Sequence, residues 1–159
     1  MNLSDIVVKD AILVDLQATT KEEAIREMVG SLRTAGMLHP SEVDEAVRLV
    51  INRENLGSTG IGRGVAVPHS RYPKASRLLG AIALSRRGVE YASLDNEKVE
   101  ILFLLLSPTE QPGDHLRALE TISRHLKSDE FVRFLRQAKT REQIVELLDE
   151  TDRKAKASS

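Results

Sequence analysis

The chain has 159 residues, 41% of them apolar and 30% charged, with a net charge of −1 and no cysteine. That balance suits one domain with a sizeable core, argues against disorder, gives no basic surplus for nucleic acid, and removes disulfide and thiolate chemistry. No apolar run approaches the ~20 residues that span a bilayer, and the start Met1-Asn2-Leu3-Ser4-Asp5 does not read as a signal peptide, so a cytoplasmic protein without membrane insertion is expected.

Ile12-Leu13-Val14 predicts a short first strand. Thr20-Lys21-Glu22-Glu23 is a capping box, and Ile25, Met28, Val29 and Leu32 follow on one helical face until Gly36. A second helix is expected from Ser41, with Val43, Ala46, Val47, Val50 and Ile51 facing in, running into Asn52-Arg53-Glu54. Val65-Ala66-Val67 predicts a strand that leaves its ladder at Pro68, which lacks a donor. Leu78 to Leu84 predicts another strand, with turns at Arg86-Arg87-Gly88 and Asp95-Asn96. Val99 to Leu106 has almost no polar break and predicts a central strand covered on both faces.

Three helices are expected after Pro108 and Pro112-Gly113. The first starts at Asp114 as N-cap and carries His115, Leu119, Ile122 and Leu126 on its inward face. The second follows Ser128 with Phe131, Phe134 and Leu135 facing in. The third opens on the capping box Thr140-Arg141-Glu142-Gln143, with Ile144, Leu147 and Leu148 inward. Residues 1–150 are expected to form the domain and 151–159 a disordered polar tail. The order of strand, two helices, about three strands and three helices predicts a single α/β layered domain, with helices covering a central β-sheet.

Four of the nine glycines fall at Gly57, Gly60, Gly62 and Gly64, just before Val65-Ala66-Val67-Pro68-His69. Small residues and free backbone N–H groups there would suit an anion beside one imidazole. Histidine is nucleophilic near pH 7 because its ordinary pKa of ~6.5 keeps a ring nitrogen unprotonated. His115 lies at a helix start, where amides favour an anion; a core-edge histidine is the plainer reading of the pattern. Arg53 ends a helix, where a cation also complements the dipole. His39 and His125 read as surface residues, and Arg63 and Arg71 as rim charges or contacts for an acidic partner. No dinucleotide fingerprint, P-loop or zinc-ligand spacing is present, although His69 and His115 can meet in space.

Gly57-Ser58-Thr59-Gly60-Ile61-Gly62-Arg63-Gly64-Val65-Ala66-Val67-Pro68-His69 resembles the active-site signature of enzyme IIA domains of the mannitol/fructose/nitrogen-regulatory class. These belong to the bacterial phosphoenolpyruvate-dependent phosphotransferase system. The resemblance spans roughly Asp5 to Asp149 and is strongest from Arg53 to His69. It implies a mixed sheet between helical layers, and no cofactor. It implies that His69 accepts a phosphoryl group on Nε2 from a histidine-containing phosphocarrier protein. His69 would pass that group to a IIB domain in sugar transport, or hold it as a signal that switches partner proteins in nitrogen regulation. With no IIB or IIC segment attached, the chain looks more like the nitrogen-regulatory type; a transporter sensor domain without transfer activity is a third reading. In the family's Asp/Thr-His-Leu context, His115 would donate to the phosphoryl oxygens. Arg53, in Arg53-Glu54-Asn55-Leu56-Gly57-Ser58-Thr59-Gly60, would bind those oxygens or the partner. Ser70 departs from the glycine that often follows the active histidine, and Ser58 and Thr59 would add hydroxyl donors or form the turn.

Overall fold

The computed structural model describes residues 1–157. Among these, strands β1 (Gly60–Gly62), β2 (Val65–Ala66), β3 (His69–Arg71), β4 (Leu79–Val89) and β5 (Val99–Ser107) form one mixed sheet. The helices are α1 (Lys21–Thr34), α2 (Val43–Glu54), α3 (Pro112–Leu126), α4 (Asp129–Gln137) and α5 (Arg141–Ala157).

β5 is the axis. It pairs antiparallel with β4 on one side and parallel with β2 and then β3 on the other. Of its residues only Glu100 is exposed. Leu102, Leu104 and Leu106 pack in the layer of α1 and α2, while Ile101, Phe103 and Leu105 pack in the layer of α3, α4 and α5. A strand covered on both faces has no place for alternating polar residues, which accounts for the unbroken apolar run. Thr20 caps α1 through the Glu23 amide, and Thr140 and Gln143 reciprocate at the start of α5.

Several elements differ from the sequence expectations. Ile12-Leu13-Val14 is not a full strand: the N-terminal segment touches the β4 edge at single bridges, Val7 with Gly80, Leu13 with Ala83 and Thr20 with Glu90, and turns through two 3-10 segments between them. Arg86-Arg87-Gly88 is no turn between strands but an irregularity inside β4, with Gly88 at φ +80° and its amide bonded to Ser85 Oγ at 3.0 Å. The chain does not leave the ladder for good at Pro68. It skips two positions, Val67 and Pro68, and pairs again as β3, so His69 begins a strand; Pro68 still accepts a bond from the Leu105 amide. α2 is preceded by a 3-10 turn at Pro40–Glu42. α3 starts at Pro112, with Gln111 and not Asp114 at the cap, because proline suits the first helical turn. Phe134 lies off the buried face of α4 at 42% exposure, under the Arg133 guanidinium.

The expected tail is also different. α5 continues through Ala157, so the helix passes the expected boundary at residue 150; Ser158 and Ser159 lie outside the described residues. The extra turns have a tertiary anchor. The buried Asp152 carboxylate accepts bonds from the amides of Leu3 (2.7 Å) and Ser4 (3.0 Å) and from Ser4 Oγ (2.6 Å). Removing it strands buried donors, at a cost of about 1–3 kcal/mol. Asp152→Ala should therefore lower the urea midpoint of unfolding with an unchanged slope, and Asp152→Asn should lose less. An unchanged midpoint in Asp152→Ala would show that the clasp contributes nothing.

Candidate active site

The register of β3 on β5 decides which side chains meet. His69 lies opposite Leu105 and Arg71 opposite Ser107. Leu105 packs toward α3, so His69, Arg71 and Ser107 share that face by strand alternation. Ser70 lies opposite Leu106 and faces the other layer, where its hydroxyl donates to the Arg71 carbonyl at 2.9 Å. It does not crowd the His69 ring.

The first turn of α3 brings the buried His115 over the end of β5. Its Nδ1 meets Ser107 Oγ, and its ring centroid lies 5.7 Å from that of His69, tilted by 52°. His115 is a buried histidine at the core edge, as the plainer reading has it, but its bond runs to a side chain and its ring faces the second histidine. The His69 ring is half-buried, and its Nδ1 lies 2.7 Å from the Val67 carbonyl. A carbonyl only accepts, so the ring proton sits on Nδ1 and Nε2 keeps its lone pair. Burial holds the His69 pKa below 6.5; the Val67 bond opposes this, Arg53 reinforces it and Glu54 opposes it. Burial also pushes His115 down to about 4, helped by His69 and Arg71. Both rings are neutral at pH 7.

The glycine stretch is a hairpin and not an open cradle. β1 and β2 pair antiparallel around a turn with Arg63 at φ +58° and Gly64 at φ +76°. The Gly57 amide bonds to the Glu54 carbonyl, that of Thr59 to the Glu54 carboxylate, that of Gly60 to Ser58 Oγ, that of Arg63 to Asp95 and that of Val67 to the Thr59 carbonyl. These N–H groups are therefore committed within the fold. Ser58 forms the turn, and the Thr59 hydroxyl points inward to Glu54 and Tyr91.

Glu54 is the residue that sequence reasoning passed over. Its side chain is 1% exposed, lies 3.2 Å from Lys21 Nζ, and accepts from the Tyr91 hydroxyl at 2.7 Å and from Thr59. Its neighbour Arg53 donates to the Gly57 carbonyl at 3.1 Å, so the two residues grip the loop at two points. Ser107 was missed as well, although it is the polar residue that ends the apolar run. Arg63 is drawn to the far end of α3, bonding the Leu126 carbonyl at 2.9 Å and Asp129. His39 caps the Pro40–Glu42 turn and is exposed, whereas His125 is half-buried against Phe131. Among the described residues no group of three or more His, Cys, Asp or Glu can hold a metal, and no helix is long and apolar enough to cross a membrane.

This fold is the one found in enzyme IIA domains. Nitrogen regulatory protein IIA-Ntr from Neisseria meningitidis superposes with a TM-score of 0.81 at 27% identity, over 92% of this chain and 98% of that one. The mannitol IIA of Escherichia coli shares the fold at a TM-score of 0.73 and 22% identity, over 89% of this chain and 97% of that one. The chain belongs to the family described as phosphoenolpyruvate-dependent sugar phosphotransferase system, EIIA 2, whose model matches residues 5–151. A nitrogen regulatory protein of Bradyrhizobium diazoefficiens is 32% identical over 93% of this chain and 95% of its own length. The fructose-specific EIIABC component of Bacillus subtilis is 29% identical over 96% of this chain, which spans only 24% of that longer protein.

Two predictions follow from the geometry. A Cβ on Gly60 would fall within van der Waals distance of both Ser93 Cβ and the Ser93 backbone. Gly60→Ala should thus destabilise the fold by about 1–3 kcal/mol and broaden the His69 ring resonances; a native-like spectrum would show that the hairpin can yield. The second concerns pH. Both active-face histidines have folded pKa values below the unfolded one, so the unfolded chain takes up protons that the native chain refuses. Their contribution to stability is full above pH ~6.5 and declines as pH falls toward about 4. Urea unfolding measured from pH 7 to 4 should show this decline, and His115→Asn should flatten it; equal slopes would exclude His115 as its source.

Proposed function

We propose that this chain is a cytoplasmic phosphoryl carrier, accepting a phosphoryl group on Nε2 of His69 from a histidine-containing phosphocarrier protein. The bond from His69 Nδ1 to the Val67 carbonyl carries this reading, because it leaves Nε2 as the nucleophilic nitrogen. The Nε2 lone pair forms the new P–N bond while the donor's P–N bond breaks and its electrons return to the donor ring. His69 loses no proton. Its phosphorylated ring becomes cationic, and the Val67 carbonyl faces the Nδ1–H that shares that charge. Passing the group through a ring nitrogen divides one transfer into two easier ones.

His115 is neutral, so it can sit beside His69 without charge repulsion. With the Ser107 hydroxyl donating to its Nδ1, its proton rests on Nε2 and is available to a phosphoryl oxygen. Arg53, braced on the Gly57 carbonyl, places a positive charge near His69, where negative charge collects on the equatorial oxygens. Onward transfer to a IIB domain runs the same steps in reverse. The E. coli mannitol IIA, which shares this fold at 21% identity and a TM-score of 0.71, forms a complex with phosphorylated enzyme IIB.

A second reading is a nitrogen-regulatory module in which phosphorylation switches partner proteins. The Bradyrhizobium relative, matched over nearly its whole length, favours it. The chemistry at His69 is the same in both readings, and the acceptor differs.

Incubation with phosphoenolpyruvate, enzyme I and phosphocarrier protein, followed by intact mass and an acid-lability test, checks the carrier step. One acid-labile phosphoryl group is expected, absent from His69→Ala and retained with altered stability or onward transfer in His115→Ala. The acceptance rate should fall as pH drops through the lowered His69 pKa, because only the neutral ring is nucleophilic. No label on the native protein with several phosphocarrier paralogues would overturn the carrier reading.

A further inference from the structure

We propose that Arg71 is a further catalytic residue, whose guanidinium binds the phosphoryl oxygens while the group sits on Nε2 of His69. The proposal rests on the carrier reading of His69 given above.

Three observations carry it. The first is placement. Arg71 follows His69 by two residues on β3, so both side chains leave the same face of the sheet, with their Cα atoms about 6.6 Å apart. The second is the cross-strand neighbour. Arg71 lies opposite Ser107, whose hydroxyl meets His115 Nδ1. Arg71 therefore rises beside the second ring of the pair. Its electrostatic effect on His115 agrees with this position.

The third is that Arg71 is uncommitted. Arg53 is bonded to the Gly57 carbonyl, Arg117 is paired with Asp114, and Arg63 is held by Asp129 and the Leu126 carbonyl. No carboxylate pairs with Arg71 among the described residues, and it is exposed. A phosphoryl group on Nε2 brings dianionic charge to this face. A free guanidinium two strand residues away offers a planar fork of donors to it, and such charge-assisted pairs are the strong ones. Five backbone amides of the glycine hairpin, those of Gly57, Thr59, Gly60, Arg63 and Val67, are already bonded within the fold. Arg71 would act most when charge on the transferring oxygens is largest, and so would change the rate of transfer more than the docking of the donor.

The test compares native protein with Arg71→Met, which keeps length and removes charge, and Arg71→Lys, which keeps charge and loses the fork. Acceptance from phosphorylated phosphocarrier protein is measured against donor concentration, and the 31P resonance of each isolated phosphoprotein is recorded with no partner present. Arg71→Met should lower kcat about 10- to 100-fold with KM within about twofold, and Arg71→Lys should regain part of the loss. The 31P resonance should move in Arg71→Met. A raised KM with unchanged kcat and an unmoved resonance would make Arg71 a docking charge only and overturn the proposal, as would no change at all. If the native protein takes no label, or His69→Ala keeps it, the carrier reading falls and this proposal with it. Labelling at His69 with unaffected Arg71 variants overturns the role of Arg71 alone.

Discussion

The buried carboxylate of Glu54 is the constraint from which the candidate face around His69 is hung. A carboxylate out of water persists when its charge is paired and its oxygens are hydrogen-bonded. Here Lys21 supplies the charge, and Tyr91 and Thr59 supply the bonds. Burial and the nearby carboxylate raise the Tyr91 pKa, so its hydroxyl stays a donor, and Lys21 also lies 4.7 Å over that ring. The path then runs through backbone. Thr59 gives its amide to Glu54 and its carbonyl to Val67, and the Val67 carbonyl receives the His69 ring proton. The tautomer of one imidazole is thereby tied to the first residue of α1.

The second support is β5. Its burial on both faces fixes where β2 and β3 must lie, one after the other along the same edge, with the two skipped positions, Val67 and Pro68, between them. The last residue of β5 is Ser107, and α3 begins five residues later. The two histidines meet because a short connection returns α3 over the end of the strand that His69 pairs with. Large apolar side chains such as Phe103 and Leu105, each contributing ~1.5–3 kcal/mol by burial, hold the layer on which this geometry stands.

Much of this was legible in the sequence, and the reasons for the gaps are physical. The central strand announced itself by its lack of polar alternation, and α1 and α5 by their capping boxes. The layered α/β class came from element order, and the mixed sheet from family resemblance. The first strand was overread because three β-branched or apolar residues cannot reveal that the chain bends away after a single bridge. Arg86-Arg87-Gly88 looked like a turn because a glycine at positive φ serves a bulge and a turn equally. α5 ran past its expected end because Asp152 is one acid among several in a polar run, and its partners lie at the opposite end of the sequence. At the candidate site, the motif pointed to His69 and His115 and the surrounding residues to Arg53, and the fold brings the two rings together. Glu54 and Ser107 were passed over because their importance lies in register and burial. Neither is visible until β3 is set against β5 and α2 against the loop.

The clasp between Asp152 and the first residues of the chain has an architectural consequence. Leu3 and Ser4 are bonded to a side chain near the end of α5, so the polypeptide enters and leaves the domain at one corner. His69 sits elsewhere, on the edge strand β3. A segment joined at either end would hang from the same point and leave the His69 face open to the same approach. The corner that joins both ends lets such a domain be strung within a longer chain, as the matching quarter of the Bacillus fructose protein is, with the His69 face left as it stands.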